Sequence, residues 1–452
     1  MERTVSVIGL GKLGAPLAAC LASKGLRVIG VDVDPHKVEA VKEGRPPVFE
    51  PRLKELIHAS RKNLSATSNV EEAVAASEIT FIVVATPSEP GGSFSLRYAL
   101  PVCNSIGRAL RTKQGFHVVV LTSTVMPGMT GGPVRAALEE ASGKRCGEGF
   151  GLCYGPEFIA LGSVIRDFLN PDFLLIGESD PRSGNILEAL YHEVCDNSPP
   201  VARMNLINAE ITKLSVNTYV TTKISFANML ARICEKLPDT DVDVVTSALG
   251  LDSRIGQKYL KGAVGYGGPC FPRDNLALTA LARQIGAPAD IAQVTDRFNR
   301  SQLHWLADLV QKHCGGGTAG ILGLTYKPDT DVVEEAVGFL LVRELIVRGV
   351  QVVAYDPSGS PDSLAALGEN LRFAPSATAC IEQAEIVVIA TPWREFEEIP
   401  AMQWARKSSP RTIIDCWRTL KNVADIEGIR YVTLGTGVVE APVAKLTGSP
   451  TS

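Results

Sequence analysis

The sequence predicts an α/β protein of two Rossmann-like domains joined by a long central helix. Near the N-terminus a β-branched strand, Thr4–Gly9, runs into Gly9-Leu10-Gly11-Lys12-Leu13-Gly14 and then a helix to about Lys24. In the second half the strand pattern of the first half recurs. Between the halves, Asn208 to about Lys236 contains neither Gly nor Pro and carries apolar residues at helical spacing.

The glycine loop stands between a strand and a helix, and the next strand, Leu26–Val31, ends at Asp32. That is the context a G-x-G-x-x-G dinucleotide loop requires. Gly9 makes the tight turn, Gly11 admits a pyrophosphate, and Gly14 lets helix and strand pack closely. The phosphates then lie over Lys12 and Leu13 at the helix N-terminus. Asp32 can accept both ribose hydroxyls and would repel a 2′-phosphate, which favours NAD over NADP. FAD uses the same fingerprint and stays open. Lys37, on the following helix, reaches the adenosine side or is a solvated helix lysine.

Ile79–Ala85 and Val118–Leu121 are apolar strands, followed by Thr86 and by Thr122-Ser123-Thr124. Ligands of open α/β sheets gather at the carboxyl ends of strands. Thr86 and Thr124 are therefore candidate contacts, with a plain turn cap as the alternative for each. Leu152–Gly155 predicts a short strand leading to Glu157, a cleft carboxylate or an exposed loop acid.

The helix over Asn208–Lys236 would span roughly 42 Å at 1.5 Å per residue. It suits a connector between two domains and a packing surface for a second chain. Lys213 and Asn217 lie four apart and share a face. Together they could stabilise an oxyanion, or they belong to a solvated stripe along with Lys223 and Asn228. After Gly315-Gly316-Gly317, read as a flexible run, the pattern resets. Val350–Asp356 echoes Leu26–Asp32, and Ala384–Pro392 echoes Ser77–Pro87. The second copy lacks G-x-G-x-x-G, and Lys327 follows its first strand, read over Gly320–Leu324, which suits a different, phosphorylated ligand. The boundaries so read are residues 1–200, 201–300 and 315–445, with Pro442–Ser452 as a frayed end.

Between the copies lies Gly265-Tyr266-Gly267-Gly268-Pro269-Cys270-Phe271-Pro272-Arg273-Asp274. The residues after Cys270 read as a helix with Pro272 in its first turn. A cysteine at a helix N-terminus is favoured as thiolate. Most lone cysteines are packing residues, and that alternative stands for Cys270 taken alone. Arg254, Lys258 and Lys261 precede the loop and suit an anionic substrate, or are surface charges.

Composition excludes other classes. With 452 residues, 45% hydrophobic and 21% charged, the chain can bury large cores. A net charge of −4 supplies no basic field for nucleic acid or an anionic membrane. The apolar runs are too short to span a bilayer, and the first residues begin a strand rather than a leader. Ten cysteines without a C-x-x-C pair suggest no metal site and no disulfide framework. Reduced thiols in a cytoplasmic protein are expected.

Taken together, Gly9–Gly14, Ser123-Thr124, Pro156-Glu157-Phe158 with Asp167-Phe168-Leu169, Lys213 and Asn217 with Lys223–Phe226, Arg254-Ile255-Gly256, Gly265–Asp274 and Lys327–Asp331 resemble the UDP-glucose/GDP-mannose dehydrogenase family along nearly the whole chain. The resemblance implies a four-electron oxidation of a sugar nucleotide at C6, from alcohol to carboxylate, with two NAD consumed. It implies that Cys270 attacks the intermediate aldehyde, forming a thiohemiacetal and then a thioester. Lys213 and Asn217 match oxyanion-stabilising residues. Asp274 matches a carboxylate that positions water with Thr124, and Glu157 an acid/base for thioester hydrolysis. Glu157, Phe158, Lys213, Asn217, Lys261, Tyr266, Gly267, Lys327 and, from a neighbouring subunit, Arg254 match substrate-binding positions. A homodimer on the central helix, or a higher assembly of it, is also implied. The chain departs from the family pattern at Ser95, Gly155, Leu161, Glu334 and Trp417. UDP-glucose is the first reading of the substrate; an N-acetylated UDP-hexosamine, GDP-mannose and a dTDP-sugar remain open. A two-electron dehydrogenase of the hydroxyacid or 6-phosphogluconate type would need no thiol. A non-catalytic nucleotide-sugar binder would need no nucleophile.

Overall fold

The computed structural model describes residues 3–359, 371–406, 410–421 and 423–437. The chain divides into two units. One comprises Met1–Thr218 with Arg273–Asp290, the other Tyr219–Pro272 with Ile291–Ser452.

The first unit holds an eight-stranded sheet. Its strands are β1 (Thr4–Ile8), β2 (Arg27–Val31), β3 (Leu64–Thr67), β4 (Ile79–Ile82), β5 (Val118–Leu121), β6 (Gly151–Tyr154), β7 (Leu174–Glu178) and β8 (Val201–Asn205). The order is β3-β2-β1-β4-β5-β6-β7-β8. Every pair is parallel except β6 with β7. β4 and β5 are buried at every residue, as strands covered by helices on both faces must be. Alternate residues serve opposite faces. Phe81, Val118 and Val120 pack with Leu17, Leu21 and Tyr191. Ile82, Val119 and Leu121 pack with Ile106, Leu110 and Leu138 on the other side. Each such buried side chain contributes roughly 1.5–3 kcal/mol.

The second unit holds a six-stranded, wholly parallel sheet. Its strands are β9 (Thr318–Leu322), β10 (Gln351–Tyr355), β11 (Leu371–Phe373), β12 (Ile386–Ile389), β13 (Arg411–Asp415) and β14 (Ile429–Thr433). Their order, β11-β10-β9-β12-β13-β14, repeats that of the first six strands of the first sheet. The internal repeat read from the sequence is therefore a repeat of topology, with a switch point between β1 and β4 and another between β9 and β12.

The central helix runs over Leu206–Cys234, close to its predicted bounds, and the cysteine loop leads into helix Phe271–Ile285. Three expectations need correction. The strand predicted over Ile79–Ala85 ends at Ile82, because the Val83 carbonyl is pressed against Gly9 and the chain leaves the sheet there. The strand predicted over Gly320–Leu324 starts and ends two residues earlier, at Thr318 and Leu322. The run Gly315–Gly317 is a turn ending helix Asp290–Cys314, with Gly315 and Gly316 at positive φ. Pro442–Ser452 lies outside the described residues.

Candidate active site

In the first unit the glycine loop takes the form its spacing predicts. Gly9 has φ +103°, and a Cβ there would stand 2.3 Å from the Val83 carbonyl oxygen. A Cβ on Gly14 would stand 1.8 Å from the Gly9 carbonyl oxygen. Nothing lies within 4 Å of the corresponding point on Gly11, which leaves its face open to a pyrophosphate. Lys12 and Leu13 bridge to helix Gly14–Ser23. Asp32 accepts from Leu10 N–H at 2.7 Å and Asp34 N–H at 2.9 Å, and Lys37 Nζ is 3.5 Å from Oδ2. Its carboxylate keeps lone pairs for ribose hydroxyls, so the residues present fit NAD.

A second group gathers beyond β4, β5 and β6, where the central helix brings in two polar side chains. Asn217 Nδ2 donates to Asp274 Oδ2 at 2.6 Å, and Lys213 Nζ donates to the Glu157 carbonyl at 2.6 Å. The Lys213 ammonium also lies 4.5 Å from the centre of the Phe158 ring. Thr86 Oγ1 donates to the Thr124 carbonyl at 2.6 Å. The structure thus brings Thr86, Thr124, Glu157, Phe158, Lys213, Asn217 and Asp274 into one region of the first unit.

Its electrostatics are tuned by burial. Burial pushes the Asp274 carboxyl above the ordinary carboxylate range, against the Lys213 and Arg273 charges. Asp274 Oδ1 is buried with no hydrogen-bond partner among the described residues. Although Glu157 is partly exposed as a residue, its carboxyl is turned under toward the Tyr191 hydroxyl. Burial raises it to about 7, with Lys213 and that hydroxyl opposing. The glycine at 155 has a local explanation: a Cβ there would be 3.0 Å from Tyr191 Oη.

Arg273 is a candidate site residue that sequence reasoning passed over. Its Nη1 donates to the Thr86 carbonyl at 3.2 Å, Nε is 3.7 Å from Asp274 Oδ1, and the guanidinium lies 4.4 Å from the Phe94 ring centre. It joins Asp274 to the turn after β4. A cation directly before Asp274 in the cysteine motif was the available signal.

In the second unit, Cys270 is exposed and immediately precedes helix Phe271–Ile285. Lys223 Nζ donates to the Ile255 and Gly256 carbonyls at 3.1 and 3.2 Å. Asn228 donates to the Val264 carbonyl and accepts from Ala263 N–H, both at 2.9 Å. These two residues brace the run into the cysteine loop rather than forming a solvated stripe. Arg254 pairs with Asp252 of its own turn, and Lys261 is exposed. Lys327 is half-buried in the segment that follows β9. At the departure Trp417, the indole donates to the Ala390 carbonyl at 2.8 Å, and Arg418 is held by Asp241 and Asp243.

Three family models cover this architecture in order. The NAD binding domain of the UDP-glucose/GDP-mannose dehydrogenase family matches residues 3–195, its central domain 207–301, and its UDP binding domain 320–422. A UDP-glucose 6-dehydrogenase of Haloferax volcanii is 34% identical over 95% of this chain and 99% of its own. The chain belongs to the UDP-glucose/GDP-mannose dehydrogenase family. A GDP-mannose 6-dehydrogenase of Azotobacter vinelandii is 35% identical over 78% of this chain and 80% of its own. Among solved structures, a UDP-glucose dehydrogenase from Pyrobaculum islandicum matches with a TM-score of 0.88 and 35% identity, covering 97% of this chain and 98% of that one. Like its family, the protein is an oxidoreductase acting on nucleotide sugars with NAD as cofactor. No helix among the described residues is long and apolar enough to cross a membrane.

Proposed function

We propose that the protein oxidises the C6 primary alcohol of UDP-glucose to the carboxylate of UDP-glucuronate, in two two-electron steps that use Cys270. The observation that supports the choice of sugar is likeness along the whole chain. A UDP-glucose 6-dehydrogenase is 34% identical over 95% of it, and a UDP-glucose dehydrogenase structure matches 97% of it at 35% identity with a TM-score of 0.88. The three-part division at 1–200, 201–300 and 315–445 belongs to the same reading, with the third part holding the sugar nucleotide.

NAD, when bound at Gly9–Gly14 and Asp32 with Lys37, Thr86 and Thr124 beside it, accepts the hydride of each oxidation. The alcohol first loses a hydride and a proton to give an aldehyde. The Cys270 thiolate adds to the aldehyde carbon, a C–S bond forms, and the carbonyl electron pair moves to oxygen. The Lys213 ammonium and Asn217 amide stabilise that oxyanion. Loss of the second hydride leaves a thioester. Asp274, with Thr124, positions a water that adds to it. Glu157 moves the proton, the C–S bond breaks, and acid and thiolate are released. Tyr266, Gly267, Phe158, Lys261 and Lys327 hold the substrate, and Arg254 serves the site of a neighbouring subunit. The homodimer this requires is supported by the central helix, whose Tyr219, Phe226, Met229 and Ile233 are exposed at heptad-like spacing. The location proposed is the cytoplasm.

The test is a panel of UDP-glucose, UDP-N-acetylglucosamine, GDP-mannose and dTDP-glucose assayed with NAD. Two NADH per UDP-glucose, and loss of turnover in Cys270→Ser, are expected. One NADH per substrate, or full turnover in Cys270→Ser, would overturn the reading. With Glu157 raised to about 7, its base form builds up as pH rises through neutrality. Turnover should rise over that range in the wild type and lose the inflection in Glu157→Gln.

A further inference from the structure

We propose that Asn299 is a positioning residue for Cys270, acting through the backbone of Tyr266. The inference rests on the reading that Cys270 is the nucleophile. Asn299 lies on helix Asp290–Cys314. Its Oδ1 accepts from Tyr266 N–H at 2.8 Å and its Nδ2 donates to the Tyr266 carbonyl at 2.9 Å. One side chain therefore fixes both main-chain groups of one loop residue. The pairing also fixes the orientation of the amide, since the N–H needs an acceptor and the carbonyl a donor. Gly265 makes room for it: a Cβ there would stand 2.6 Å from Asn299 Oδ1.

From Tyr266 the constraint passes to the residues flanking the sulfur. The Tyr266 ring meets the Phe271 ring edge-on, with centroids 6.2 Å apart. On its other side the loop is backed by the segment after β9. Gly268 N–H donates to the Glu334 carbonyl at 3.1 Å. A Cβ on Gly267 would fall 2.1 Å from the Glu335 carbonyl oxygen, and one on Gly268 2.7 Å from the Tyr326 ring. The two glycines thus let that segment close directly on the loop. Asn299 pins one end of Tyr266–Phe271 and the Tyr326–Ala336 segment backs its middle, while Cys270 itself stays exposed. A thiolate that must meet an aldehyde carbon in line has little tolerance for displacement. An exposed sulfur on a loop needs such an outside clamp.

The experiment compares wild type, Asn299→Ala, Asn299→Asp and Cys270→Ser. It follows NADH production from UDP-glucose, the rate at which iodoacetamide labels Cys270 (read by peptide mass spectrometry), and thermal unfolding. Asn299→Ala should lower kcat about tenfold or more with KM for NAD unchanged, as a displaced reacting group does. Its Cys270 labelling rate should change in parallel. Asn299→Asp keeps the acceptor for Tyr266 N–H and should recover part of both. Gly265→Ala, which pushes on the clamp from the loop side, should imitate Asn299→Ala and covers the case in which that variant does not fold. A merely structural role would lower the unfolding temperature while the folded enzyme kept its kcat and labelling rate, and that result overturns the proposal. If Cys270→Ser turned over normally, the catalytic reading would fail, and the labelling rates alone would decide whether Asn299 places the sulfur.

Discussion

The two parallel-sheet folds share a strand order and part company at one loop. After β1 the chain passes from Gly9 to Gly14 in five positions; after β9 it passes from Gly323 to Gly338 in fifteen. The glycines at either end do the same work in both. Gly9 and Gly323 stand at φ +103° and +91°. A Cβ on Gly14 would lie 1.8 Å from the Gly9 carbonyl, and one on Gly338 2.0 Å from the Gly323 carbonyl. The second fold thus has the same packing glycines, and in place of the open middle proposed to face the dinucleotide phosphates it has a segment that carries Lys327.

The carboxylates ending β2 and β10 differ in the same sense. Asp32 takes two backbone N–H groups and keeps acceptor capacity. Asp356 takes Leu324 N–H, Thr325 N–H, the Thr325 hydroxyl and the Trp393 indole on Oδ2, and Ser358 and Gly359 N–H on Oδ1. With six donors it has no lone pair left for a ribose. One topology therefore yields a carboxylate with acceptor capacity to spare, the one proposed for the dinucleotide ribose, in one copy and a loop staple in the other, and a ligand of the second fold must be held by other groups.

Replacing each carboxylate by alanine should separate these roles most strongly. Asp356→Ala strands several donors and should destabilise the second unit by on the order of 3 kcal/mol or more. Asp32→Ala should cost less in stability and instead raise KM for NAD, both read by denaturant unfolding and NADH kinetics. Next come the glycines. Gly14→Ala and Gly338→Ala should each fail to fold their own unit, for want of space. Gly11→Ala meets no atom within 4 Å and should leave the unfolding curve unchanged while weakening NAD binding.

A smaller effect is set by pH. In the first fold His117 Nδ1 donates to the Ser77 carbonyl at 3.0 Å, and Nε2 meets the Thr80 hydroxyl at 2.8 Å. In the second fold Arg411 Nε donates to the Ala384 carbonyl at 3.1 Å. Arginine keeps its charge throughout the accessible range, whereas burial holds the His117 imidazole down to about 3 against an ordinary 6.5. Between those values the unfolded chain binds a proton that the folded chain does not. Stability from this position is complete above about 6.5 and is lost as pH falls toward 3. The first unit should therefore melt at lower temperature as pH drops from 7 to 4, and His117→Gln should flatten that slope.

Legibility in the sequence followed the range of the interactions. The glycine loop, the repeat, the central helix and the Lys213–Asn217 spacing are local signals, and each was legible. The ending of β4 at Ile82 was not, because it depends on Gly9, far away in the chain. Nor was the reversal between β6 and β7, which leaves no mark in either strand. Arg273 and Asn299 look like ordinary surface residues in sequence, and their partners Thr86, Phe94 and Tyr266 are remote from them.

By itself the sequence determined the two folds, the cofactor loop and the chemical family, because periodicity, glycine spacing and motif composition are written within a few turns of chain. Only the tertiary structure decided which partners each shared feature has and what capacity it keeps for a ligand. Whether a carboxylate serves a ribose or its own loop, and whether an asparagine is solvated or holds a backbone in place, depends on which donors long-range packing brings within hydrogen-bond reach.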